Sequence, residues 1–186
     1  MLNQSVIFRA LGALPFFLLG SFVLAHAANG VKIDQLVIEA SVPDPERDAT
    51  VKAARAFYDF WNTGDETLLK QAIAENFTDD SLPSGRLQGP EGPALASRQF
   101  RAAIPDLRVE VKKMIVASDY VTVHVVFTGH FTGRLGETLG KGQAVTFVAT
   151  DLLKVENGRI TDNLHIEDSQ TLLQKIDVAR VSSRVI

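Results

Sequence analysis

The second half of the chain is a succession of strand-forming segments broken by turn signals, and it restricts the fold more than any other feature. Leu107 to Ala117, Val121 to Thr132, Ala144 to Val155 and Ile160 to Ile166 are rich in β-branched and aromatic residues. Ser118-Asp119, a glycine-rich stretch at 133 to 142 and Asn157-Gly158 separate them. Asn-Gly readily supplies the two positive φ angles of a tight hairpin, so the last two segments read as antiparallel neighbours.

Ahead of these strands the apolar spacing is helical. Asp44 can cap a helix that has Pro45 at its first position, and Val51, Ala54, Tyr58 and Trp61 recur on one face until Asn62-Thr63-Gly64 stops it. Asp65 caps a second, shorter helix with Leu68, Leu69, Ala72 and Ile73 as its stripe, ending at Asn76. Phe77 to Leu82 reads as a short strand or loop. The Gly89 to Pro93 turn feeds a third helix carrying Ala96, Phe100, Ala103 and Ile104, and Pro105 terminates it. Thr171 to Ile176 reads as a short terminal helix or loop. Three helices followed by a meandering antiparallel sheet make an α+β domain.

Residues 1–27 combine Arg9, the apolar run Ala10 to Leu24 and the triplet Ala25-His26-Ala27, the pattern of a signal peptide cleaved after Ala27. The run is short for a transmembrane helix and contains Gly12, Pro15 and Gly20. The expected product is a periplasmic or secreted protein with no stable membrane insertion. Residues 28–44 read as a loosely attached extension, residues 45–178 as the domain and residues 179–186 as a tail. With no cysteine among 186 residues there is neither a disulfide nor a thiolate metal site, and a chain this long can bury a core without either. A net charge of -3 with scattered Lys and Arg offers no basic stripe for nucleic acid. Only four histidines are present, and the His124 and His130 spacing is not that of metal ligands, so no metal is expected.

Strand alternation places Val145, Phe147, Ala149, Asp151, Leu153 and Val155 on one face. Asp151 is then an ionisable group on an otherwise apolar face, where it must be paired, solvated or protonated. His165 lies near the opposite position on the returning strand. A two-residue turn at Asn157-Gly158 places Leu164 opposite Asp151 and turns His165 away, whereas a bulge just before His165 would turn it inward. Phe57, Trp61, Phe77 and Phe147 are candidates for pocket wall or core. Asp79 and Asp80 are paired acids that precede a Pro-Ser-Gly loop.

Phe57-Tyr58-Asp59-Phe60-Trp61-Asn62-Thr63-Gly64-Asp65, Ile104-Pro105-Asp106-Leu107, Thr128-Gly129-His130-Phe131-Thr132-Gly133, Glu156-Asn157-Gly158-Arg159-Ile160 and Asp168 with Leu172-Leu173-Gln174 follow one another in an order that resembles the SnoaL-like polyketide cyclases. The resemblance implies the cone-shaped nuclear transport factor 2-like fold, with three N-terminal helices packed on a curved antiparallel sheet around an apolar pocket. It also implies ring closure by acid-base chemistry without a cofactor, a small apolar molecule as ligand, and a homodimer through the sheet. In that family a His on the penultimate strand and an Asp on the last strand share the proton work. Here the types are exchanged, Asp151 standing at the His position and His165 at the Asp position, so Asp151 is the candidate base and His165 its acid or orienting partner. Asp168 fits the family's recurring acid after the last strand, with a helix N-cap as the competing reading.

Overall fold

A computed structural model describes residues 30–82 and 86–176. The expected signal peptide and the 179–186 tail lie outside the described residues. Helix α1, Asp44–Thr63, buries Ala53, Ala54, Phe57, Tyr58 and Phe60, and Gly64 closes it at φ 75° by donating its N–H to the Phe60 carbonyl. Its N-cap is Pro43 with no side-chain bond, so Asp44 is the first helical residue rather than the cap. Asp65 caps α2, Glu66–Ala72, as the sequence predicts, accepting from the Thr67 N–H at 2.9 Å. That helix is shorter than its apolar stripe suggests. The β-branched Ile73 already opens a strand, β2, Ile73–Asp79.

Helix α3, Glu91–Ala103, precedes the long strands β3, Arg108–Ala117, and β4, Tyr120–Phe131. The glycine-rich stretch folds into a small hairpin of β5, Arg134–Leu135, and β6, Thr138–Leu139. Strands β7, Gln143–Glu156, and β8, Arg159–Glu167, then form the Asn157-Gly158 hairpin with φ 52° and 72° at the turn. A short helix α4, Ser169–Ile176, ends the described chain.

The extension is not loosely attached: Leu36–Ile38 forms β1, parallel to β3 at one edge of the sheet, with Val31 and Val42 buried below it. Apolar residues at 31, 33 and 42 find partners only once the sheet exists. At the other edge β2 runs parallel to β8. The six-stranded sheet is therefore mixed, in the order β1-β3-β4-β7-β8-β2, with antiparallel pairing confined to its four central strands. One face packs on the helices: α1 touches β3, β7 and β8, α2 touches β8 and α4 touches β7.

Two of the motifs quoted above are explained by this packing. Asp106 accepts from both the backbone N–H and the Nδ1 of His130 at 2.7 Å, tying the α3–β3 connection to β4. A Cβ at Gly129 would meet Ile104 Cγ2 at 2.4 Å, and one at Gly133 would meet the Ala102 carbonyl oxygen at 1.9 Å. Only glycine allows β4 to pass so close to the end of α3.

Candidate active site

The β7–β8 register decides whether His165 enters the interior. From the turn, Glu156 pairs with Arg159 and Val155 with Ile160, but Lys154 then pairs with Asp162. Thr161 is the extra residue of a bulge, and it is buried next to buried Ile160, breaking the alternation. From there on every residue is shifted by one. His165, not Leu164, stands opposite Asp151. The bulge lies beside the turn and not just before His165, where it was expected.

The two side chains meet: His165 Nδ1 is 2.7 Å from Asp151 Oδ1. The other carboxylate oxygen, Oδ2, accepts from the Tyr58 hydroxyl at 2.6 Å, and Asp151 is only 3% exposed. Both oxygens of Asp151 are therefore engaged. Tyr58 sits on the inward stripe of α1, 93 residues away in sequence, where it reads as core. A buried tyrosine needs a hydroxyl partner and a buried carboxylate needs a donor, and those two requirements are the only sequence signal that links them. Burial, the Asp151 charge and the hydrogen bond together raise the Tyr58 hydroxyl well above its usual range, so it stays a neutral donor.

On its other side His165 presents Nε2 to Glu167 Oε2 at 3.8 Å. Burial alone would lower the imidazole, but the bonds to Asp151 and Glu167 and their charges outweigh it, and His165 is pushed up to about 10. At neutral pH it is an imidazolium with an N–H on both nitrogens, of which Nδ1 donates to Asp151 and Nε2 faces Glu167 at ion-pair distance. Its backbone N–H donates to Ser81 Oγ at 2.6 Å, and Ser81 in turn donates to Asp79 Oδ1 through both its N–H and its hydroxyl. The loop after β2 thus holds β8 at the residue that matters.

Asp151, His165 and Glu167 line one part of a cavity of about 440 Å³ whose remaining wall is mostly apolar. Phe57, Trp61 and Phe147 line it, as the sequence suggests, joined by Phe100 and Phe127. Phe127 and Phe147 stack at 5.0 Å, and Trp61 meets the edges of Phe100 and Phe127 at 6.3 and 5.9 Å. Two candidates fall elsewhere. Phe77 is buried in the core and does not line the cavity, because β2 turns it under the sheet edge. Asp168 is exposed past the end of β8 and caps α4, accepting from the Thr171 N–H at 3.0 Å and its hydroxyl at 2.6 Å. Tyr58, which helical spacing places only in the core, and Ser81, Arg86 and Glu167 are site residues that the sequence did not identify as such. No group of three or more metal-ligating side chains occurs among the described residues.

The comparison with known proteins agrees with this architecture. A Bacillus cereus ATCC 10987 protein named as a polyketide cyclase is similar in structure, with a TM-score of 0.73 and 36% identity over 80% of this chain and 94% of its own. A SnoaL-like protein from Jannaschia sp. CCS1 shares the fold at 19% identity, with a TM-score of 0.63 over 73% of this chain and 96% of its own. A Catenulispora acidiphila protein with a ketosteroid isomerase-like fold does so at 20% identity, with a TM-score of 0.54 over 68% and 93%. No curated protein sequence matches. The model of the SnoaL-like polyketide cyclase family spans residues 51–176, which contain every strand from β2 to β8 and both members of the Asp-His pair. The chain belongs to the SnoaL-like polyketide cyclase family.

Proposed function

We propose that this protein is a cofactor-independent acid-base enzyme that activates a carbon beside a carbonyl group, as a cyclase or isomerase acting on a flat, largely apolar compound. The observation that carries this reading is the 2.7 Å bond between His165 and Asp151 at the wall of an aromatic cavity. Asp151 has no oxygen free for substrate, so it orients and balances His165 instead of acting as the base. The Nε2–H of His165 donates its proton to the carbonyl oxygen while Glu167, the cavity carboxylate beside Nε2, takes the α-proton, and an enol forms. In isomerisation Glu167 returns its proton to carbon and the enol O–H returns its proton to His165. In ring closure the enol carbon attacks a second carbonyl, the enol O–H proton ends on the new alkoxide, and a proton passed from Glu167 to His165 restores the pair.

Incubating the protein with 2-tetralone in deuterated buffer tests this directly. Proton NMR is expected to show α-proton exchange well above the buffer rate. Binding without exchange would make the domain a carrier of apolar molecules, using the same aromatic wall.

A second copy of the chain is the proposed partner. Ile115, Thr122, Leu152 and Leu164 pair in one row across β3, β4, β7 and β8 on the face away from the helices, and Ile166 beside them is 64% exposed. An exposed apolar row on a sheet face can be self-complementary about a two-fold axis. Light scattering is expected to give the dimer mass, and Leu152→Lys the monomer; a wild-type monomer at high concentration overturns the assignment.

A further inference from the structure

The cavity holds a second cation, far along the wall from the proton-transfer pair. Arg86, in the connection between β2 and α3, lines it with its guanidinium over the Phe100 ring, 5.6 Å from the centroid. Phe100 in turn stacks on Phe147 at 6.1 Å. Phe147 and Asp151 share the inward face of β7 four residues apart, which is roughly 13 Å of strand. Arg86 therefore marks the aromatic end of the cavity, and the imidazolium marks the polar end.

The carboxylates of the cavity are each engaged elsewhere. Asp79 accepts from Ser81, Asp151 from Tyr58 and His165, and Glu167 accepts from Ser169 and lies beside His165. Arg86 forms no ion pair or side-chain hydrogen bond among the described residues, and the three residues before it, Pro83-Ser84-Gly85, carry no charge. Its backbone is nevertheless held in place. The next residue but one, Gln88, accepts from the Asp79 N–H at 2.8 Å and donates to the Asp79 carbonyl at 3.0 Å, clamping this segment to the end of β2. A half-buried guanidinium that lies over an aromatic ring and has no carboxylate partner among the described residues is an arrangement that can receive a carboxylate through its two-pronged edge.

We infer that Arg86 is an anion subsite, and that the substrate is an aryl carbonyl compound bearing a carboxylate on the side remote from the reacting carbon. This rests on the acid-base reading above and adds to it a substrate class. The aromatic body lies between Phe100, Phe127, Phe147 and Trp61; the carboxylate pairs with Arg86; the carbonyl oxygen reaches His165. Arg86 is a specificity residue and moves no proton.

Trp61 is the single tryptophan of the chain and lines the cavity, so its fluorescence reports occupancy. The wild type and Arg86→Gln are titrated with 4-acetylbenzoate, whose carboxylate lies across the ring from the ketone, and with its methyl ester. The wild type is expected to bind the acid about 10-fold or more tighter than the ester, with the preference shrinking at high salt. Arg86→Gln loses that preference and keeps the ester affinity, and Arg86→Lys retains part of it. Equal affinity for acid and ester in the wild type, or a preference that survives in Arg86→Gln, overturns the inference and leaves the acid-base reading standing. Failure of both compounds to bind overturns the aromatic carbonyl pocket, and the inference with it.

Discussion

Replacing His165 by Gln is expected to slow α-proton exchange by about 10²- to 10⁴-fold, the usual worth of a positioned acid or base. Glutamine can still donate a hydrogen bond to Asp151, so the cavity and its occupancy by an aromatic ligand persist, as Trp61 fluorescence would show. What disappears is a group that can give up a proton and take it back. The pH profile of the wild type separates this from a merely structural role. Because Asp151 and Glu167 hold His165 protonated to about pH 10, a rate limited by imidazolium as acid stays level through pH 8 and falls only near pH 10. A free imidazole would lose that activity above pH 6.5. A break near 6.5, or a Gln variant as fast as the wild type, would remove His165 from the chemistry.

The sheet was legible because its signals are local. Asn157-Gly158 demands a tight turn whatever surrounds it, and the branched residues of β3, β4 and β7 alternate over more than ten positions each. The helix ends at Gly64 and the cap at Asp65 are equally local. Asp151 stood out because a charge on an apolar strand face has few solutions. His165 was a candidate whose direction stayed open, since that depends on Thr161, whose insertion makes Ile160 and Thr161 consecutive inward residues. Nothing in Ile160-Thr161-Asp162 distinguishes that bulge from simple alternation; the strand accepts it because Asp151 then gains a partner. Tyr58 and Val31 fail to announce themselves for the same reason: their roles are set by residues 93 positions away for one and by the edge of a sheet not yet built for the other. Arg86 is a loop residue with no period to read. Hence the scaffold follows from nearest neighbours in the chain, and the site from pairs that only tertiary contact creates.

Removal of the Asp151 carboxylate has the largest expected effect on stability. Asp151→Ala strips the imidazolium of its 2.7 Å partner and leaves the Tyr58 hydroxyl, which is 1% exposed, without an acceptor. Breaking a buried pair from one side costs about 3–5 kcal/mol, which approaches the whole stability of many domains. Tyr58→Phe removes only one neutral donor and is expected to cost about 1–2 kcal/mol, so the ratio of the two losses measured by urea unfolding reports how much of the network is charge. The pH dependence supplies an independent check. His165 titrates near 6.5 when unfolded and near 10 when folded, so the folded state holds the proton more tightly. The stabilisation is complete below pH 6.5 and is lost progressively as pH rises through 10, an effect on the order of a few kcal/mol. In Asp151→Ala the largest upward pull on His165 is gone and burial acts against the charge, so that decline should flatten. If the variant unfolds within about 1 kcal/mol of the wild type and keeps the same decline above pH 6.5, the imidazolium is held by something other than Asp151, and the pair is not the unit around which the site is built.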